Sequence, residues 1–288
     1  MNDFRHILFP VDFSERSRSV APFVLSLARG YSAKVTLLHA MPIPMPYWSD
    51  LGMMPPIAAQ TDDLRGQLTE RLKQFAADLL PKVDTLCAVE AGEPGSLIVA
   101  QSAMAETDLI AMPTHGYGMF RRALLGSVTA KVLHDAAAPV WTSAHAPEPS
   151  HRAHPKPRRI LAAVDLKDES ARVLDYALGL AHHEDASVEV LYVAPEGQIA
   201  EHDSAARLDQ LLSKSAYREK VTVLNEMESG PEVTVSAGIA ETIRTLAVRK
   251  RVDLVVIGRG GIRGLGPTRM NSHAYAIVRE APCPVLSV

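Results

Sequence analysis

Cysteine is scarce in this chain. Cys87 and Cys283 are the only two among 288 residues, one in each half. That excludes a disulfide framework and fits a reducing compartment. Their apolar settings read as small core positions rather than reactive thiols. An excess of positive charge is also missing: 30 Lys and Arg stand against 33 Asp and Glu, a formal net charge of −3. No basic field marks a nucleic-acid binder. No apolar run is long enough to span a bilayer. No signal-peptide pattern precedes the first apolar run, Ile7-Leu-Phe9. The expectation is a cytoplasmic protein that engages neither nucleic acid nor membrane.

Several catalytic signatures are missing too. No G-x-G-x-x-G follows either candidate first strand, which argues against a nicotinamide cofactor. Gly261 to Gly266 has the spacing of a Walker A loop, but Pro267 stands where Lys is needed. No nucleophile elbow or pair of catalytic carboxylates stands out. His145, His151 and His154 lie in a Pro-rich stretch without a second ligand cluster, so no metal site is read from the protein alone. His134-Asp135 reads as surface. No residue is put forward as catalytic.

What is present is ordinary globular material: 47% apolar and 22% charged residues, in a length suited to about two domains. Strands and helices alternate. In the first half the strands read Ile7–Val11, Lys34–Ala40, Thr85–Glu90, Thr107–Met112 and Pro139–Thr142. Helices fall between them. The first is capped by Ser14 and stopped by Gly30, the second spans Leu64–Leu80, the third Gly95–Met104, and the fourth opens at Ser127. The second half repeats this as Arg159–Val164, Ser187–Val193, Thr222–Glu226, Asp253–Ile257 and Pro284–Val288. Its helices read Glu169–His182, Ala205–Ser215, Ile239–Arg249 and one from Ser272. Strands rich in Val, Ile and Leu without clean alternation are buried on both faces. Their alternation with helices predicts an α/β fold with parallel sheets.

The repeat is arithmetical. Asp12 and Asp165, each after a first strand, lie 153 residues apart. Gly116 and Gly261 lie 145 apart, as do Pro139 and Pro284, so the first half carries eight extra residues. They fall in Met41–Gln60, which reads either as a surface insertion or as a lid or partner-binding loop. The expected division is a first domain over 1–144, an extended Pro-rich linker over 145–157 and a second domain over 158–288.

One motif carries chemistry. A strand ending at Met112 runs into Pro113-Thr-His-Gly116, and after nine intervening residues Gly126-Ser-Val-Thr129 opens a helix. A strand, a Gly-containing loop and a helix N-terminus together form a device for holding phosphate. In the second half Gly258-Arg-Gly-Gly261 is followed by Asn271-Ser272, so Asn stands where Gly126 stood.

These residues resemble the universal stress protein family in its tandem form. The resemblance rests on Ile7-Leu-Phe-Pro-Val-Asp12-Phe-Ser14, Val35-Thr-Leu-Leu-His39, Asp108 to Gly116, Leu125-Gly-Ser-Val-Thr129 and Ala138-Pro-Val140. It implies two doubly wound five-stranded parallel sheets of order 3-2-1-4-5, flavodoxin-like, with helices on both faces. The ligand crevice of such a sheet lies between strands one and four. The resemblance further implies ATP or a related adenine nucleotide, with or without Mg²⁺. Pro10, Asp12 and Ala40 would lie on its adenine side. Met112, His115 and Gly116 would line the loop, and Gly126, Ser127, Val128 and Thr129 would hold phosphates. A weaker second site would use Asp165, Gly258, Gly261 and Ser272. The family's pattern is Gly, two residues, Gly, nine residues, then Gly-Ser or Gly-Thr, and two departures matter: Pro113 replaces the first Gly in the first half, and Asn271 replaces the third Gly in the second. Asp12 has an alternative role as a turn cap, Ser127 as a helix N-cap, and His115 as an ordinary loop residue. Family members associate through their last strand. Pairing of the two halves, and then of two chains as a homodimer, is expected from that.

Three functions compete at this stage. The first is a nucleotide-binding protein of stress response or signalling rather than metabolism. The second is an interaction protein with vestigial sites. The third is a slow ATP hydrolase.

Overall fold

Short runs of Val, Ile and Leu become strands because a pleated backbone buries both faces when helices cover them. The computed structural model describes residues 3–42, 57–114, 125–143, 155–166, 169–192, 206, 210–212, 238–259 and 273–288. The first half runs β1 (His6–Pro10), α1 (Glu15–Tyr31), β2 (Lys34–Met41), α2 (Ile57–Leu79), β3 (Thr85–Ala91), α3 (Pro94–Met104), β4 (Leu109–Met112), α4 (Ser127–Asp135) and β5 (Val140–Thr142). The second gives β6 (Arg159–Val164), α5 (Ser170–Glu184), β7 (Ser187–Tyr192), α6 (Ile239–Lys250), β8 (Leu254–Ile257), α7 (His273–Glu280) and β9 (Val285–Ser287).

The strands form one sheet in the order β3-β2-β1-β4-β5-β9-β8-β6-β7. The first half thus has the expected 3-2-1-4-5 order. The second half's β7-β6-β8-β9 reproduces its 2-1-4-5 part, and the expected strand Thr222–Glu226 lies outside the described residues. So does most of the expected helix over Ala205–Ser215. The two halves join into one continuous sheet through their last strands. Val140 pairs with Ser287, Trp141 with Leu286 and Thr142 with Val285, antiparallel, while every other strand pair among the described residues is parallel. Each of these short strands presents an open edge of N–H and C=O groups, and joining them satisfies both.

Alternation sorts side chains to two faces. Ile7 and Phe9 of β1, Trp141 of β5 and Leu286 of β9 share one core with α1, α2 and α5. Leu8, Val140 and Val285 share the other with α3, α4, α6 and α7. Asp108 ties the start of β4 to β1: its carboxylate accepts from the N–H groups of Arg5 and His6 at 2.8 and 2.9 Å. Asp253 repeats this with Arg158 and Arg159, both at 2.9 Å.

Most helix limits fall within two residues of expectation, and two differences matter. α2 starts at Ile57, ahead of Leu64. Gly30 does not stop α1; the αL residue is Ser32, with φ 54°, and Gly30 stays inside the helix. Its role is close approach, since a Cβ there would lie 2.8 Å from His183 Cε1 on α5. Among the described residues no helix is long and apolar enough to cross a membrane.

Candidate functional site

β1 and β4 are hydrogen-bonded neighbours, Ile7 opposite Leu109 and Leu8 opposite Ile110. Their C-terminal ends, followed by Asp12 and by Pro113, border the crevice at the switch point. Val11 extends the β1 edge by donating its N–H to Leu38 O at 2.9 Å. His39 fixes that corner from β2: its Nδ1 donates to Val11 O at 2.7 Å, and its ring lies 4.6 Å from that of Phe13. Phe13 has φ 61°, a strained value for an aromatic residue, and the Arg71 guanidinium sits 4.2 Å over its ring.

Asp12 has a structural role. Its Oδ1 accepts from Ser14 N at 3.0 Å, Ser14 Oγ at 2.6 Å and Ser17 Oγ at 2.5 Å. It therefore caps the turn into α1, together with Ser14, whose Oγ accepts from Ser17 N at 3.2 Å. Asp12 Oδ2 takes no hydrogen bond from a described residue. Pro10 ends β1 opposite Leu38, and Ala40 pairs with Glu90. Met112, the last residue of β4, is buried.

The loop ends are fastened together. Gly126 N donates to Thr114 O at 3.0 Å, and Thr129 Oγ1 donates to Pro113 O at 3.0 Å. The Thr129 hydroxyl is thus committed inward, leaving its backbone N–H as the group it offers. Gly126 is the N-cap of α4, so Ser127 is not; Ser127 is the first helical residue and is exposed. The first intrahelical bond runs from Ala130 N to Gly126 O. The amides of Ser127, Val128 and Thr129 therefore sit in the first turn, where N–H groups have no intrahelical acceptor. Gly126 has φ −62° and ψ 143°, a conformation open to any residue. His115 and Gly116 lie outside the described residues.

In the second half Asp165 accepts from Ser170 Oγ at 3.0 Å, as Asp12 does from Ser17. Leu166 repeats the positive φ of Phe13, at 58°. One neighbour reverses charge. The spacing that relates Asp12 to Asp165 brings Arg16 into register with Glu169. Glu169 Oε2 is buried without a hydrogen-bond partner among the described residues, and a Cβ on Gly258 would lie 3.5 Å from it. A carboxylate thus faces the end of β8. Gly261 and Ser272 lie outside the described residues, as does Asn271. Among the described residues no cluster of His, Cys, Asp or Glu could hold a metal ion. Sequence reasoning missed the Glu169 reversal, although the repeat spacing carried it.

Comparison with known proteins agrees with this architecture. The model of the universal stress protein family matches twice, over residues 3–143 and 156–288. Universal stress protein A homolog 1 of Coxiella burnetii is 30% identical over 138 residues, which cover 46% of this chain and 95% of that protein. Universal stress protein YxiE of Bacillus subtilis is 28% identical over 144 residues, 45% of this chain and 97% of that one. A solved universal stress protein from Archaeoglobus fulgidus shares the fold along nearly the whole length. Its TM-score is 0.70 at 19% identity, covering 99% of this chain and 96% of that one. With its family model matched in both halves, the chain belongs to the universal stress protein family, in tandem form.

Proposed function

We propose that the first half binds an adenine nucleotide, ATP or a close relative, with its phosphates at the start of α4 and its base toward Asp12. The protein would then act in stress response or signalling rather than metabolism. The observation that carries this reading is the first turn of α4. Three consecutive amides open beside the C-terminal ends of β1 and β4, behind a glycine cap that needs no glycine for its backbone. Such a turn favours an anion through its free N–H groups and the helix dipole. Gly126 is then best understood as leaving room for a ligand.

The second half is read as a poor nucleotide site. Glu169 Oε2 beside Gly258 would meet a phosphate with like charge, in addition to Asn271 in the loop. A homodimer would have to use a surface other than β5 and β9, which pair with each other.

A second reading, an interaction protein without nucleotide, has its own support. Asp12 Oδ1 and the Thr129 hydroxyl already have partners inside the fold. The readings separate when nucleotide is extracted from freshly purified protein and identified by mass spectrometry. ATP or an analogue in the extract, together with a rise in Tm on adding Mg·ATP, supports the first. No nucleotide and no shift supports the second.

A further inference from the structure

Arg259 is only 1% exposed, although it stands one residue past Gly258 at the root of the second half's loop. Its guanidinium reaches across to the first half. Nη1 donates to Ala136 O at 2.8 Å, and Nη2 donates to Ala137 O at 3.1 Å and Ala138 O at 3.0 Å. Ala136 is the C-cap of α4, and the two residues after it lead into β5. The last carbonyls of a helix lack intrahelical donors and carry the negative end of its dipole. A planar guanidinium fork, always charged, suits such a cluster. The backbone beneath it is fixed as well: Arg259 N donates to Val288 O at 3.0 Å and Val288 N to Ile257 O at 2.9 Å.

The contact is one-sided. The spacing that relates Gly116 to Gly261 makes Thr114 the counterpart of Arg259. Thr114 O instead accepts from Gly126 N within the first half. The strand junction itself is only three residue pairs long, too short to be a stable ladder on its own.

We infer that Arg259 is an interdomain latch: it fastens the second half to the end of α4, so that the two halves unfold as one unit. The inference does not depend on nucleotide binding. It extends the role of the second loop from a weak ligand site to a fastening between halves.

The test uses the full chain carrying Trp48→Phe. Trp141 is then the only indole, since the chain has two Trp. Trp141 lies opposite Leu286 and is 1% exposed, so its fluorescence reports the junction. Urea unfolding is followed by Trp141 emission and by far-UV circular dichroism, with acrylamide quenching in the absence of urea. The parent is expected to show one coincident transition. In Arg259→Met the Trp141 transition moves to lower urea, ahead of the dichroism, and quenching rises. Arg259→Lys keeps the charge without the fork and falls between. Coincident transitions at the parent midpoint in Arg259→Met, or probes that already separate in the parent, overturn the latch. If Arg259→Met does not fold, Arg259→Lys decides: an earlier Trp141 transition supports the latch, and an unchanged midpoint refutes it.

Discussion

Tyr31 and His183 stack face to face across the two halves, ring centroids 3.7 Å apart and planes 13° from parallel. Tyr31 ends α1 and His183 lies in the last turn of α5. The imidazole is held on both sides: Nε2 lies 3.1 Å from Gly30 O and Nδ1 lies 3.2 Å from Glu184 Oε1. Both neighbours are acceptors, so the ring must donate wherever it is bonded. Gly30 belongs to this contact because its bare Cα lets α5 approach.

Gly30→Ala tests that assignment. Alanine in an exposed helix interior normally gains about 1 kcal/mol over glycine. Here the new Cβ would lie 2.8 Å from His183 Cε1, and the ring is pinned by its stack and hydrogen bonds. The substitution is expected to destabilise the native chain and to stabilise it in a His183→Ala background. Chemical denaturation of the four chains in this cycle measures the sign. Stabilisation of comparable size in both backgrounds would show that the contact is loose.

Asp12 is expected to matter for stability before it matters for any ligand. Asp12→Ala leaves Ser14 and Ser17 without their shared acceptor and should cost about 1–3 kcal/mol, the usual penalty for orphaned polar groups. Thermal unfolding without nucleotide checks this. A wild-type Tm for Asp12→Ala would remove the capping role and return the residue to the ligand alone.

Glu93 caps α3 and makes stability depend on acid. The Ser96 hydroxyl, then the amides of Gly95 and Ser96, hold its carboxyl below the usual range. The amide bonds are 2.8 and 2.7 Å. A depressed folded pKa gives stability that is present above the unfolded value, about 4.3 for Glu. It is lost as pH falls from there through the folded value. Glu93→Gln should therefore lower stability at pH 7 by about 1 kcal/mol, as lost caps do, and narrow its gap to wild type below pH 4. A gap that does not change with pH would exclude the carboxylate as its cause.

Much of the fold was legible because buried parallel strands leave plain apolar runs, and because the sequence states its pattern twice. Asp12 with Ser17 and Asp165 with Ser170 mark the same turn in both halves. Gly30 was misread because a glycine near a helix end has two uses, an αL stop or close approach to a neighbour. Only the three-dimensional position of His183 chooses between them. Arg259 was hidden for a similar reason. Its partners are backbone carbonyls more than a hundred residues away, and alanines at 136–138 give no side-chain signal. The phosphate loop was readable as far as the start of α4. The inward turn of the Thr129 hydroxyl was not, because a threonine in that position bonds equally well to a ligand or to its own loop.

Gly126→Val is expected to fold and to lose nucleotide. The backbone at φ −62° and ψ 143° accepts valine without strain, so the side chain should act only by filling the space above the first turn of α4. Circular dichroism and a Tm near wild type, with no response to Mg·ATP, fit this expectation. Retained binding would move the phosphates away from Gly126.

Isothermal titration of the nucleotide-stripped full chain with Mg·ATP tests the central claim most directly. The expected stoichiometry is one per chain, lost in Gly126→Val and kept in Glu169→Gln. At a hundred times Kd the ligand should add about 2.7 kcal/mol, roughly 5–10 °C in Tm at 2–4 °C per kcal/mol. No heat and no shift would contradict nucleotide binding altogether. Two equivalents per chain would contradict the confinement of the site to the first half.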